Sequence, residues 1–140
     1  MNGRTPTPEQ VVADAGNARQ QLAALDHQLQ SEIDAIVFTA FKGGRPLSSD
    51  DIEKRKQLRA TQMEVRDQFN VLSFVTLQRL DDTDEVSQLL HQMNTINAGL
   101  QDDFRRLKKI KRYAAIIAGV TDAVAKATEK LAVIAAKGLS

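Results

Sequence analysis

The sequence predicts an all-α protein: a long antiparallel helical hairpin plus one long C-terminal helix, packed as a coiled-coil-like bundle of three helices, or of four if the last one breaks near Gly99. Three observations lead there. Apolar residues recur at alternating three- and four-residue steps, the spacing that lines one face of a helix. Two short polar stretches, Lys42-Gly43-Gly44-Arg45-Pro46 and Asp81-Asp82-Thr83-Asp84-Glu85, divide that pattern into three lengths. Finally, 42% of the residues are apolar but only five are Phe, one is Tyr and none is Trp, so the core is made of Leu, Ala and Val on helical stripes, as suits packed rods. A chain of 140 residues is expected to form one domain.

The first helix is expected over 8–41. Thr7-Pro8-Glu9-Gln10 is an opening signal, in which Thr7 caps, Pro8 fits the first helical position and Gln10 stands where a capping box needs it. Its stripe is Val11, Ala15, Ala18, Leu22, Leu25 and Leu29, then a four-residue step to Ile33, Ile36 and Ala40. Gly43 and Gly44 release the helix, and Pro46 prevents its continuation.

A second helix is expected over 49–80, capped by Ser48 or Ser49, with Asp50 and Asp51 at the positive end of its dipole. Its opening turns are charged. Its later half, with Phe69, Val71, Leu72, Phe74, Val75, Leu77 and Leu80, covers more than one face and belongs in the densest part of the core. Two short connections favour antiparallel neighbours.

The third helix is expected over 84–137. Val86, Met93, Leu100, Leu107, Ala114, Thr121, Thr128 and Ala135 form one seven-residue series, and Leu89, Ile96, Asp103, Ile110, Ile117, Val124 and Leu131 form its companion. The heptad phase favours one continuous rod of about 80 Å, although Gly99, with Asn97 before it and Asp102 after it, is a candidate break and Gly119 a weaker one. Such a rod outruns its neighbours by about 20 residues, so 114–137 is expected to project. Ala118, Val120, Ala125, Ala127, Ala132 and Ile134 broaden its apolar face. Asp103 interrupts the seam, and it either pairs with Arg105, Arg106 or an Arg of another copy, or marks a frayed or broken stretch.

Charge is divided along the chain. Residues 1–103 carry 10 Lys or Arg against 16 Asp or Glu, a net of −6, while 104–140 carry 9 against 2, a net of +7. Six of those cations, Arg105, Arg106, Lys108, Lys109, Lys111 and Arg112, lie within eight residues, enough to attract an anionic surface.

Catalytic signatures are lacking. His27 and His91 have no Cys or second His at ligand spacing, and no Glu stands three residues before a His, as di-iron bundles require. Residues 42–45 lack the Gly-Lys-Ser/Thr ending of a phosphate loop. No nucleophile elbow surrounds any Ser, so no enzyme activity, metal or cofactor is expected. There is no Cys and hence no disulfide framework. The first nine residues are polar, unlike a signal peptide. The longest apolar stretch, 114–136, contains Asp122, Lys126, Glu129 and Lys130, which argues against a spanning helix. A cytoplasmic location is expected, with signal-less secretion left open.

The function expected is therefore a non-enzymatic interaction or assembly protein. It self-associates or docks a helical partner through Ile110, Ala114, Ile117, Val120, Val124, Leu131 and Ile134. The alternative is a membrane-active helical protein that uses the six cations of 105–112 and the apolar tail. Nucleic acid ranks below both, because only Phe104 and Tyr113 flank the cations and no reading module surrounds them.

Overall fold

Four helices, α1 (Pro8–Lys42), α2 (Ser49–Val75), α3 (Thr83–Leu107) and α4 (Lys111–Lys137), follow one another along the chain in the computed structural model, which describes residues 5–75 and 80–138. Among the described residues there is no strand. Each helix packs on the two that adjoin it in a closed ring, α1 on α2, α2 on α3, α3 on α4 and α4 on α1.

The caps are those the sequence encodes. Thr7 Oγ1 accepts from the Gln10 amide and the Gln10 side chain accepts from the Thr7 amide, which satisfies two of the free N–H groups at the start of α1. Ser48 Oγ accepts from the Asp51 amide at the start of α2, and Asp82 accepts from the Asp84 and Glu85 amides at the start of α3. α1 ends at Gly43, and Gly44 turns the chain with φ of 63°, a conformation that costs a residue with a Cβ. Leu80, the expected last residue of α2, stands in a turn and is buried; Leu77, with the rest of 76–79, lies outside the described residues.

Cross-helix contacts fix an up-and-down register. Between α1 and α2, Arg66 meets Asp26 at 2.8 Å and Gln62 Nε2 donates to Gln30 Oε1 at 2.8 Å. Between α2 and α3, Gln68 Nε2 donates to Asn97 Oδ1 at 2.7 Å and to the Met93 carbonyl at 3.2 Å. Between α1 and α4, Lys130 meets Asp14 at 2.6 Å, and Gln28 Nε2 donates to the Arg112 carbonyl at 3.2 Å. The partner moves backward as the residue number rises, so neighbouring helices run antiparallel.

The expected continuous helix over 84–137 is not what forms. The chain turns at 108–110, neither at Gly99, which lies inside α3, nor at Gly119, which lies inside α4. Two forces favour the turn. Six cations in eight residues put like charges three and four apart on a continuous helix, which weakens it; the dipoles add little, because Arg105 and Arg106 face the negative end of α3 while Lys111 and Arg112 face the positive end of α4. The larger force is burial. Folding back places Tyr113, Ile117, Val120, Ala123, Val124, Ala127, Leu131 and Ile134 in the core, and each large side chain contributes about 1.5–3 kcal/mol on leaving water. The segment 114–137 does not project; it completes the bundle.

The turn also slips one of the two heptad series by one residue, while its companion, Ile117, Val124 and Leu131, stays buried in phase. Val86, Met93, Leu100 and Leu107 are buried as one series. In α4 the buried series continues from Tyr113 through Val120, Ala127 and Ile134, while Ala114, Thr128 and Ala135 are half-buried and Thr121 is exposed.

Backbone geometry makes the turn testable. Ile110 caps α4 with φ −89° and ψ 119° and no side-chain cap, an extended conformation compatible with a following proline. Lys111→Pro is therefore expected to change stability by less than about 1 kcal/mol, since the first helical position suits proline. The same change inside an unbroken helix costs about 3 kcal/mol or more. A urea midpoint close to that of the parent protein is the expected outcome.

Candidate functional site

The antiparallel register leaves one end of the bundle uneven. Arg112, the second residue of α4, falls beside Gln28 and Glu32, and the end of α3 falls beside Gln57, whose Oε1 accepts from Arg106 Nη1 at 3.2 Å. Beyond these points only α1 and α2 continue. Residues 33–42 of α1 form a two-helix tip with the start of α2, and α1 runs about 15 Å past the level of Glu32 and Arg112.

Apolar side chains on this tip face solvent. Phe41 is 79% exposed, Phe38 59%, Ile52 52% and Val37 41%. Val37, Phe38 and Phe41, with Arg55 and Arg59, line an open groove of about 640 Å³. Lys42 Nζ lies 5.4 Å from the centre of the Phe38 ring, close enough for a cation–π contact. The sequence reading missed this patch because Val37, Phe38 and Phe41 lie off the α1 stripe, and an exposed apolar residue in isolation is ordinary. The signal available was their clustering next to a glycine turn.

All six cations of 105–112 are exposed at the base of the tip. Arg105 pairs with Asp102 at 3.2 Å, Arg106 with Asp103, and Arg112 with Glu32. Lys54 Nζ lies 3.5 Å from the same Glu32, so Glu32 ties α1, α2 and α4 together where the tip begins. Lys108, Lys109 and Lys111 have no acidic partner within 4.0 Å among the described residues.

The expected contact residues of the C-terminal helix are placed differently. Ile117, Val120, Val124, Leu131 and Ile134 are buried in the chain's own core and Ala114 is half-buried; Ile110 alone of the seven is exposed. The folded chain therefore offers no surface through the buried five.

Asp103 pairs with Arg106 on its own helix and faces Glu64 of α2. The stretch is not frayed, since α3 runs on to Leu107. Partial burial, the Asp103 charge and the hydrogen bond it shares with Asp103, with Asp67 adding a smaller repulsion, push the Glu64 carboxyl above its ordinary range. Gly99 leaves room here, because a Cβ at that position would come 3.1 Å from Glu64 Oε1. Burial also pushes the Tyr113 phenol up, with the Glu32 charge acting the same way against the neighbouring Arg112.

His27 and His91 are exposed on separate helices. No group of three or more His, Cys, Asp or Glu side chains able to hold a metal ion occurs among the described residues. Nor is any helix, among the described residues, long and apolar enough to cross a membrane.

No family profile, curated protein or solved structure matches this chain.

Proposed function

We propose that this protein is a non-enzymatic helical interaction module that docks an anionic partner through the bundle end formed by the α3–α4 turn and the α1–α2 tip. The observation that carries this reading is the sorting of charge. Residues 32–59 and 102–112, which meet at that end, carry twelve Lys or Arg against seven Asp or Glu, net +5; the remaining residues carry seven against eleven, net −4. A molecule close to neutral overall is thus strongly dipolar, and its positive end steers toward negative charge.

The three lysines that have no acidic partner among the described residues strengthen the case. A cation already in an ion pair gives up that partner when it binds elsewhere, whereas Lys108, Lys109 and Lys111 exchange only water and salt ions. Self-association through the C-terminal helix has less support, because five of its seven contact residues are committed to the core.

Immobilised heparin, used as a generic polyanion, provides the test. The parent protein is expected to bind at low salt and to elute as salt rises. The triple change Lys108→Glu, Lys109→Glu and Lys111→Glu should abolish retention, while Lys126→Glu with Lys137→Glu on α4 away from the turn should leave it nearly intact. Equal losses from the two sets would remove the basic end as the working surface.

A further inference from the structure

We infer that the anionic partner of this end is the surface of a lipid bilayer, with the α1–α2 tip entering the headgroup layer and the α3–α4 turn holding the phosphates. The inference rests on the anion-docking reading above and goes past it by naming the occupant.

Two features at one end have to be matched together. Phe38, Phe41, Val37 and Ile52 are large, apolar and exposed at the end of a hairpin, and the cations stand behind them. Nucleic acid would satisfy the cations but leave four apolar side chains in water. A second copy of this chain could cover the apolar tip, yet tip-to-tip contact would leave the cations behind it without negative charge to meet. An anionic bilayer offers apolar depth and negative charge along a single axis, in the order the molecule presents them.

The dimensions agree. Interfacial protein segments bury apolar side chains about 5–10 Å into the headgroup boundary. α1 runs about 15 Å past the level of Arg112, so a tip seated at that depth leaves the lysines within about 10 Å of the headgroups. That distance is close to the screening length of about 8 Å at physiological salt. Of the four apolar side chains, Phe41 lies nearest the end of α1 and Phe38 one turn behind it. The Lys42 side chain beside the Phe38 ring extends its charge back toward the headgroups, as lysines at interfaces do.

No spanning is implied. The tip carries Asp34, Asp50, Asp51 and Glu53 as well, and charged side chains confine a segment to the interface. Arg45 meets Asp51 at 3.2 Å, and the Arg45 guanidinium holds that carboxyl below its usual range, so the turn carries an ionised pair that keeps the end of the hairpin among the headgroups.

Flotation with vesicles of phosphatidylserine and phosphatidylcholine, compared with phosphatidylcholine alone, decides the matter. The full chain should bind the mixed vesicles at least about tenfold more tightly, given the contribution of each basic side chain near an anionic surface. Phe38→Ser with Phe41→Ser should weaken vesicle binding by more than about tenfold and leave heparin retention unchanged. Lys108→Glu with Lys109→Glu and Lys111→Glu should remove both activities. All of these side chains are exposed, and a helical circular dichroism spectrum with an unchanged melting temperature verifies that each variant folds.

Heparin retention without vesicle binding would overturn the bilayer as occupant while sparing the anion-docking reading, and would point to nucleic acid or an acidic protein instead. Vesicle binding that is indifferent to the two Phe changes would also overturn it. Failure to bind either probe would defeat both readings.

Discussion

Leu131→Ala and Ile117→Ala are each expected to destabilise the isolated protein by about 2–5 kcal/mol. Both side chains are fully enclosed by the chain's own helices, so truncation removes buried methyl groups and leaves a cavity that a close-packed interior fills only in part. A projecting C-terminal helix would behave in the opposite way, since shortening a side chain on a free rod scarcely alters the stability of the remainder. Urea denaturation at several protein concentrations makes the measurement. The loss should be the same at every concentration, because the contacts are within one chain. A loss that shrank as concentration rose would mean that the packing of α4 comes from another copy.

At neutral pH, Glu64→Gln is expected to stabilise the fold by about 1 kcal/mol, a figure kept small because water reaches this pair. The sign follows from the raised folded-state pKa. A carboxyl that is harder to ionise in the fold than in the unfolded chain contributes its full stability while protonated, below the ordinary value of 4.5. That contribution is lost as pH rises from there through the folded-state value. Ionised Glu64 then lies against Asp103, with Asp67 nearby and Arg106 already engaged by Asp103. Gln cannot ionise, so parent and variant should agree below about pH 4 and diverge above it. Denaturation at acidic and neutral pH checks this; a gap of equal size at both would rule out the carboxylate pair as its source.

Much of the fold was legible because helix periodicity and capping are local. All eight buried residues of α1 lie on the stripe read from the sequence, and only Ile36 of that stripe is left partly buried. The caps at Thr7, Ser48 and Asp82 formed where oxygen-bearing side chains preceded apolar runs. The α3–α4 turn was not legible, because it contains neither glycine nor proline and no side chain caps it. Tertiary burial, which sequence spacing does not record, outweighed local helix continuity there. Length matching of rods was a sound criterion applied at the wrong end: once α4 folds back, the excess length belongs to the α1–α2 hairpin. The cation cluster was legible as composition, whereas its position beside an apolar tip needed the register between helices.

The glutamines of α2 carry a further consequence. Gln62 and Gln68 are buried among aliphatic neighbours and reach Gln30 and Asn97 on flanking helices. If α2 slid lengthwise by one heptad, Leu58, Val65 and Leu72 would replace one another and grease would still meet grease. Both amides, however, would be stranded without partners, and a buried unpaired amide costs about 1–3 kcal/mol. The pair therefore works as an index pin: it adds little to the depth of the native well but removes the neighbouring wells, so that the hairpin tip stops at one fixed height above the turn.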